Sequence, residues 1–196
     1  MENKISEIIA LLDLDNKLTL EEIPDIDLYM DQVIQLFENK YAETKRNDEE
    51  KILTKTMINN YAKGRLFFPI KNKKYTKQHV LLISLIYQLK GALSINDIKK
   101  ILDQLNEKIV NDQFQLDNFY ESYMQLLDVN AKNFKIDVED CAKDVTNEIA
   151  QYADEDATYL EKLLLITSLV NMSNFYRRAA ELLVDKIENS KSDKPD

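Results

Sequence analysis

The chain has 196 residues, a net charge of −9 and 44 % hydrophobic residues, a globular composition long enough for one large domain or two small ones. Two glycines, three prolines and no tryptophan leave too little turn chemistry for a β-sandwich or barrel, and exclude collagen-like or Gly/Ser-rich chains. One cysteine and one histidine exclude an intrachain disulfide framework and a Cys/His zinc cluster, and leave a His-based hydrolase only one imidazole.

Residues 1–7 show no basic stretch leading into an apolar core, and no apolar run approaches about twenty residues. Neither a secretory signal nor a membrane span is expected, and the protein is expected in the cytoplasm. Ile5, Ile8, Ile9 and Leu12 predict a short amphipathic helix over 4–14. Thr19 and Glu22 have capping-box spacing, cut short by Pro24. Met30, Val33, Ile34 and Phe37 predict a helix over 27–40, followed by a polar loop over 41–50.

Thr54 is the expected N-cap of the next helix, with Met57, Ile58 and Tyr61 inward and Gly64 ending it. Residues 66–70 read as a strand, Lys71 to Lys74 as a turn and Tyr75 as the start of a return strand, together a hairpin with a cationic tip. Thr76 caps an apolar helix reaching Lys90. Ser94 and Asp97 open another, with Ile95, Ile98, Ile101, Leu102 and Leu105 inward. Two stripes follow: Leu116, Phe119, Tyr120, Tyr123 and Leu127, then Val138, Cys141, Val145, Ile149 and Tyr152.

Asp154, Glu155 and Asp156 sit where carboxylates favour the start of a long last helix, 157–188. On that helix Leu165, Leu169, Met172, Tyr176, Ala179 and Leu183 form a coiled-coil-like seam. The expected organisation is an amino-terminal helix (1–19), a DNA-binding unit (20–106), a helical module (107–190) and a disordered tail (191–196).

The charge is unevenly spread. Between Lys51 and Asn96 there is no Asp or Glu, while Lys51, Lys55, Lys63, Arg65, Lys71, Lys73, Lys74, Lys77 and Lys90 all lie there. Such an island in an acidic chain predicts one anion-facing surface. Asn59 and Asn60 stand on the helix that opens it. Asparagine is a poor helix former, but its amide both gives and accepts hydrogen bonds, which suits base edges in a major groove.

The run Tyr61 to Pro69, then Tyr75-Thr76, then Ile86, Leu89, Leu93, Ser94, Ile95 and Ile98, resembles the winged-helix domain of the MerR regulators. Leu53 to Tyr61, the Pro24 to Tyr29 entry and the Lys74 to Lys77 exit are closer still to the bacterial domain-of-unknown-function 1836 family, itself similar to MerR domains. Where MerR chains usually carry an acid and a glycine, this one has Ala62 and Arg65.

The resemblance implies an all-α helical bundle containing a winged helix-turn-helix with a short two-stranded wing, plus a carboxy-terminal module ending in a long helix. It implies a sequence-specific transcriptional regulator of double-stranded DNA. The expected DNA contacts are Lys55, Thr56, Asn59, Asn60, Lys63 and Arg65, with Lys71, Asn72, Lys73 and Lys74 on the wing. Homodimerisation is expected through Leu165, Leu169, Met172, Tyr176 and Leu183.

Other readings are weaker. A non-catalytic helical module could bind an acidic protein through the 51–96 face, and an effector could act on the carboxy-terminal module. An enzyme is disfavoured, and no cofactor or metal is expected. His79 reads as a surface or capping residue, and Cys141 as a small core hydrophobe. The acids at 13–15 and 25–27 lack the glycine and closing glutamate of a calcium loop.

Overall fold

The computed structural model describes residues 2–152 and 156–192, with side chains over 5–152 and 156–187. Asp154 and Glu155, expected at a helix start, and residues 193–196 of the expected tail lie outside the described residues. The described part is mostly helical, with two short strands: α1 (Glu2–Leu11), β1 (Leu28–Tyr29), α2 (Met30–Tyr41), α3 (Lys55–Lys63), β2 (Lys74–Tyr75), α4 (Lys77–Leu89), α5 (Ile95–Val110), α6 (Leu116–Ile149) and α7 (Ala157–Ser192), with 3-10 turns at Leu20–Glu22 and Ala42–Thr44. The described residues form two compact units, one from 2–15, 125–152 and 156–179, the other from 16–124 and 180–192.

The second unit is organised around α4. His79 to Ile86 are all buried, because this run is apolar on every side apart from His79 and Ser84 and other elements cover it. Val33, Phe37, Ile58, Leu66, Ile98 and Tyr120 share its core. A buried polar chain runs through it. Ser84 Oγ donates to Tyr120 Oη at 2.8 Å, and Tyr120 Oη donates to the Leu18 carbonyl at 2.8 Å. The Leu18 amide donates to Tyr41 Oη at 3.2 Å. Two tyrosines thus satisfy both backbone groups of a residue that is 1 % exposed. Burial pushes the hydroxyls of Tyr41 and Tyr120 well above their ordinary pKa, so both stay neutral.

The first unit packs α1, the later part of α6 and most of α7 around Ile5, Val138, Ala142, Val145, Ile149 and Leu165. Cys141 is half-buried beside this cluster, and its Sγ donates to Ser168 Oγ at 3.2 Å.

Several expectations are corrected. Residues 66–70 are not a strand. The two-stranded antiparallel sheet pairs Leu28 with Tyr75 and Tyr29 with Lys74, so the wing's partner precedes α2 rather than following α3. The helix predicted over 27–40 therefore starts at Met30. The two later stripes, all but Tyr152, lie on one 34-residue helix, α6. Ile95, Phe119 and Tyr152, expected inward, are 41 %, 44 % and 63 % exposed; Ile95 and Phe119 lie in the first turn of their helices and Tyr152 lies beyond the end of α6. The last helix continues past Glu188 to Ser192.

Candidate nucleic-acid interface

Helix α3 begins where Thr54 Oγ1 accepts from the Met57 amide at 3.1 Å. Ile58 and Tyr61 turn into the core. Lys55, Thr56, Asn59, Asn60 and Lys63 are all exposed, at the spacing of one continuous helix face. The Asn59 and Asn60 side chains make no hydrogen bond among the described residues.

The helix ends differently from the expectation. Gly64 is right-handed, at φ −71°. The left-handed position is Arg65, at φ 55°. The Leu66 amide returns to the Tyr61 carbonyl at 3.0 Å and the Arg65 amide to the Ala62 carbonyl at 3.1 Å, the paired bonds that close a helix. Gly64 is needed for closeness instead: a Cβ there would meet the Asn60 carbonyl at 3.2 Å and Ile95 Cγ2 at 3.5 Å. Arg65 carries the strain, with its side chain exposed.

Side chains hold residues 66–68 in place of a neighbouring strand. Asn106 Nδ2 donates to the Leu66 carbonyl at 3.0 Å, and the Phe68 amide donates to Asn106 Oδ1 at 3.0 Å. His79 Nε2 donates to the Phe68 carbonyl at 3.2 Å, and its Nδ1 accepts from the Thr76 amide at 3.2 Å. His79 is 2 % exposed and caps α4; burial lowers its pKa, so it is a neutral clamp.

The clamp fixes the root of the cationic turn. Asn72 and Lys73 both have positive φ, 52° and 58°, and the Lys74 amide donates to the Lys71 carbonyl at 3.0 Å, so the tip is a tight reversed turn. Lys71, Asn72 and Lys73 are exposed. Lys74 Nζ lies 5.4 Å from the ring centre of Tyr29, which is 56 % exposed. Helix α2 abuts both α3 and β2, so one element supports the helix face and the turn.

Not every cation of the island faces outward. Lys90 Nζ donates to the Ile52 carbonyl at 3.0 Å and lies 4.4 Å over the Tyr87 ring; burial lowers its pKa. Lys77 pairs with Asp117 at 3.3 Å and Asp25 at 3.4 Å. Lys55 pairs with Asp31 at 2.8 Å, both ends well exposed. Lys51, Lys63, Arg65, Lys71 and Lys73 have no ion pair among the described residues. The anion-facing set is thus smaller than the composition implies, because an amphipathic lysine stem also covers apolar surface.

The ridge at Phe68 and Pro69 separates two open clefts. One, of about 740 Å³, lies between Arg65, Ile70 and the Asp103, Glu107 and Val110 side of α5. The other, of about 640 Å³, is lined by Asp27, Lys71, Asn72, Lys74 and Gln78. Among the described residues no cluster of His, Cys, Asp and Glu could hold a metal ion. No described helix is long and apolar enough to cross a membrane. Tyr29 and Asn106 were missed from the sequence. The Tyr29 ring was detectable only through pairing with Lys74, and Asn106 looks like any polar residue of an amphipathic helix.

Of the expected dimer residues, Leu165 is 7 % exposed and belongs to its own unit's core. Leu169 and Met172 are half-buried, whereas Tyr176 and Leu183 are 69 % and 64 % exposed. Leu165 packs within its own unit, where α6 and α1 cover it.

No curated protein and no solved structure matches the chain. Residues 18–123, more than half of its length and nearly coincident with the stretch built around α4, match the family described as Domain of unknown function (DUF1836), and the chain belongs to that family.

Proposed function

We propose that this protein is a non-catalytic, dimeric regulator that binds a specific double-stranded DNA site, with α3 entering the major groove and the 71–74 turn lying on the adjacent backbone. The observation that carries this reading is the exposed face of α3. Two asparagines without an internal partner stand between Lys55 and Lys63, on a helix whose opposite face is buried. Placing them there weakens the helix by a few tenths of a kcal/mol each, with no compensating contact inside the protein. Base edges would supply the missing partners.

The MerR resemblance is supported by Arg65, which stands where those chains carry glycine and has the positive φ that glycine favours. It is supported too by the sheet that ties the cationic turn to the entry of α2. In this role Lys63, Arg65, Lys71 and Lys73 neutralise phosphates and set the register, while Asn59 and Asn60 read bases.

The test is retention of fragmented DNA from the source genome at low and near-physiological salt, followed by sequencing. A shared, roughly palindromic site surviving the higher salt is expected. Retention that vanishes with salt and shares no site would overturn the reading and favour an acidic protein partner for the same face.

A further inference from the structure

We infer that a second copy of this chain docks on the outer face of α7, formed by Tyr159, Leu163, Ile166 and Val170. The inference rests on the dimer half of the proposed function and not on its DNA half. The inner face of α7, at Leu165, is buried within its unit. About a third of a turn away, Tyr159, Leu163, Ile166 and Val170 are 62 %, 46 %, 60 % and 55 % exposed. An ordinary surface helix is polar there; this one is apolar on both sides.

Charge identifies the occupant. The chain carries −9 overall, yet residues 157–176 contain one acid, Glu161, and one base, Lys162. Two copies repel each other over most of their surface and do not repel here. A charged partner finds nothing complementary on this stretch, whereas an identical face does.

Spacing and area agree. The 4-3-4 interval reads the same in both directions, so an antiparallel pair with its two-fold axis between Leu163 and Ile166 is self-matching. Leu163 then meets Ile166 of the second copy, and Tyr159 meets its Val170. A cleft of about 410 Å³ beside this face, lined by Ile8, Val138, Ile166 and Leu169 together with the oppositely charged Glu161 and Lys162, gives the apolar side chains a recess with no net charge. With Ile8, 51 % exposed, five side chains offer about 100 Å² each. That sum matches the apolar part of a standard interface, about 60 % of about 800 Å² per partner.

The test is sedimentation equilibrium of the full chain, with far-UV circular dichroism as the check on folding. The wild type is expected to be a dimer at micromolar concentration. Ile166→Glu is expected to raise its dissociation constant about a hundredfold or more with helicity kept, and Leu183→Glu to leave it unchanged. If Ile166→Glu loses helicity, Ile166→Ser carries the test, with a smaller rise expected. A dimer indifferent to both Ile166 changes but broken by Leu183→Glu overturns this face and leaves the dimer reading standing. A monomeric wild type overturns both.

Discussion

His79 and Thr76 are joined by a hydrogen bond that depends on protonation state: Nδ1 accepts from the Thr76 amide at 3.2 Å only while the ring is neutral, whereas Nε2 donates to the Phe68 carbonyl at 3.2 Å in either state. Burial puts the folded pKa below the ordinary 6.5. Below pH 6.5 the unfolded chain takes up a proton that the folded chain resists. The stabilisation is therefore full above that value and is lost as pH falls through the folded value. The urea midpoint is expected to drop between about pH 7.5 and 5.5. His79→Gln should be less stable near neutrality, by about 1–3 kcal/mol, with a flatter profile over the same range. An equally steep profile in the variant would move the effect to other groups.

Asn106 is the second arm of the clamp. Asn106→Leu removes hydrogen bonds to Leu66, Phe68 and Leu102 at once. It should cost about 2–3 kcal/mol in chemical denaturation, the scale set by leaving backbone groups unpaired. A loss near zero would mean that water replaces the amide.

Arg65 is expected to show opposite effects on stability and binding. Arg65→Gly relieves a left-handed arginine, offset in part by the freer unfolded chain, and should stabilise the fold by about 0.5–1 kcal/mol. In the proposed role of Arg65 the same change would remove one phosphate contact, and is expected to shallow the salt dependence of DNA affinity by about one unit of slope. A stabilised variant with an unchanged slope would take Arg65 out of the interface.

Tyr120→Phe leaves the Leu18 carbonyl and the Ser84 hydroxyl without their buried partner. It should destabilise by about 1–3 kcal/mol, read as a fall in the urea midpoint with the slope of the transition kept. This tests the polar chain through the core independently of any ligand.

Local signals in the sequence proved reliable. Thr54 and Ser94 cap their helices as their spacing implies, and the apolar run of α4 is the buried centre. What failed was pairing. Leu66 to Ile70 has the composition of a strand, but its backbone is satisfied by Asn106 and His79, over separations that local pattern does not register. Leu28 and Tyr29 sit inside a helical period and instead join β2, because Tyr75 pairs from far along the chain. At the candidate site, exposure of Asn59, Asn60 and Lys63 was legible from the period of α3. The diversion of Lys77 and Lys90 to internal partners was not, since composition counts charges without their neighbours.

In the proposed role α3 discriminates between sequences rather than merely attracting anions. The most direct measurement is the ratio of affinities for a genome-selected duplex and a scrambled one, at near-physiological salt, for the wild type, Asn60→Ala and Lys71→Ala/Lys73→Ala. Asn60→Ala is expected to lower that ratio by about 1–3 kcal/mol. The paired lysine change should weaken both duplexes alike and keep the ratio. Equal, unselective losses from all three changes would contradict that role.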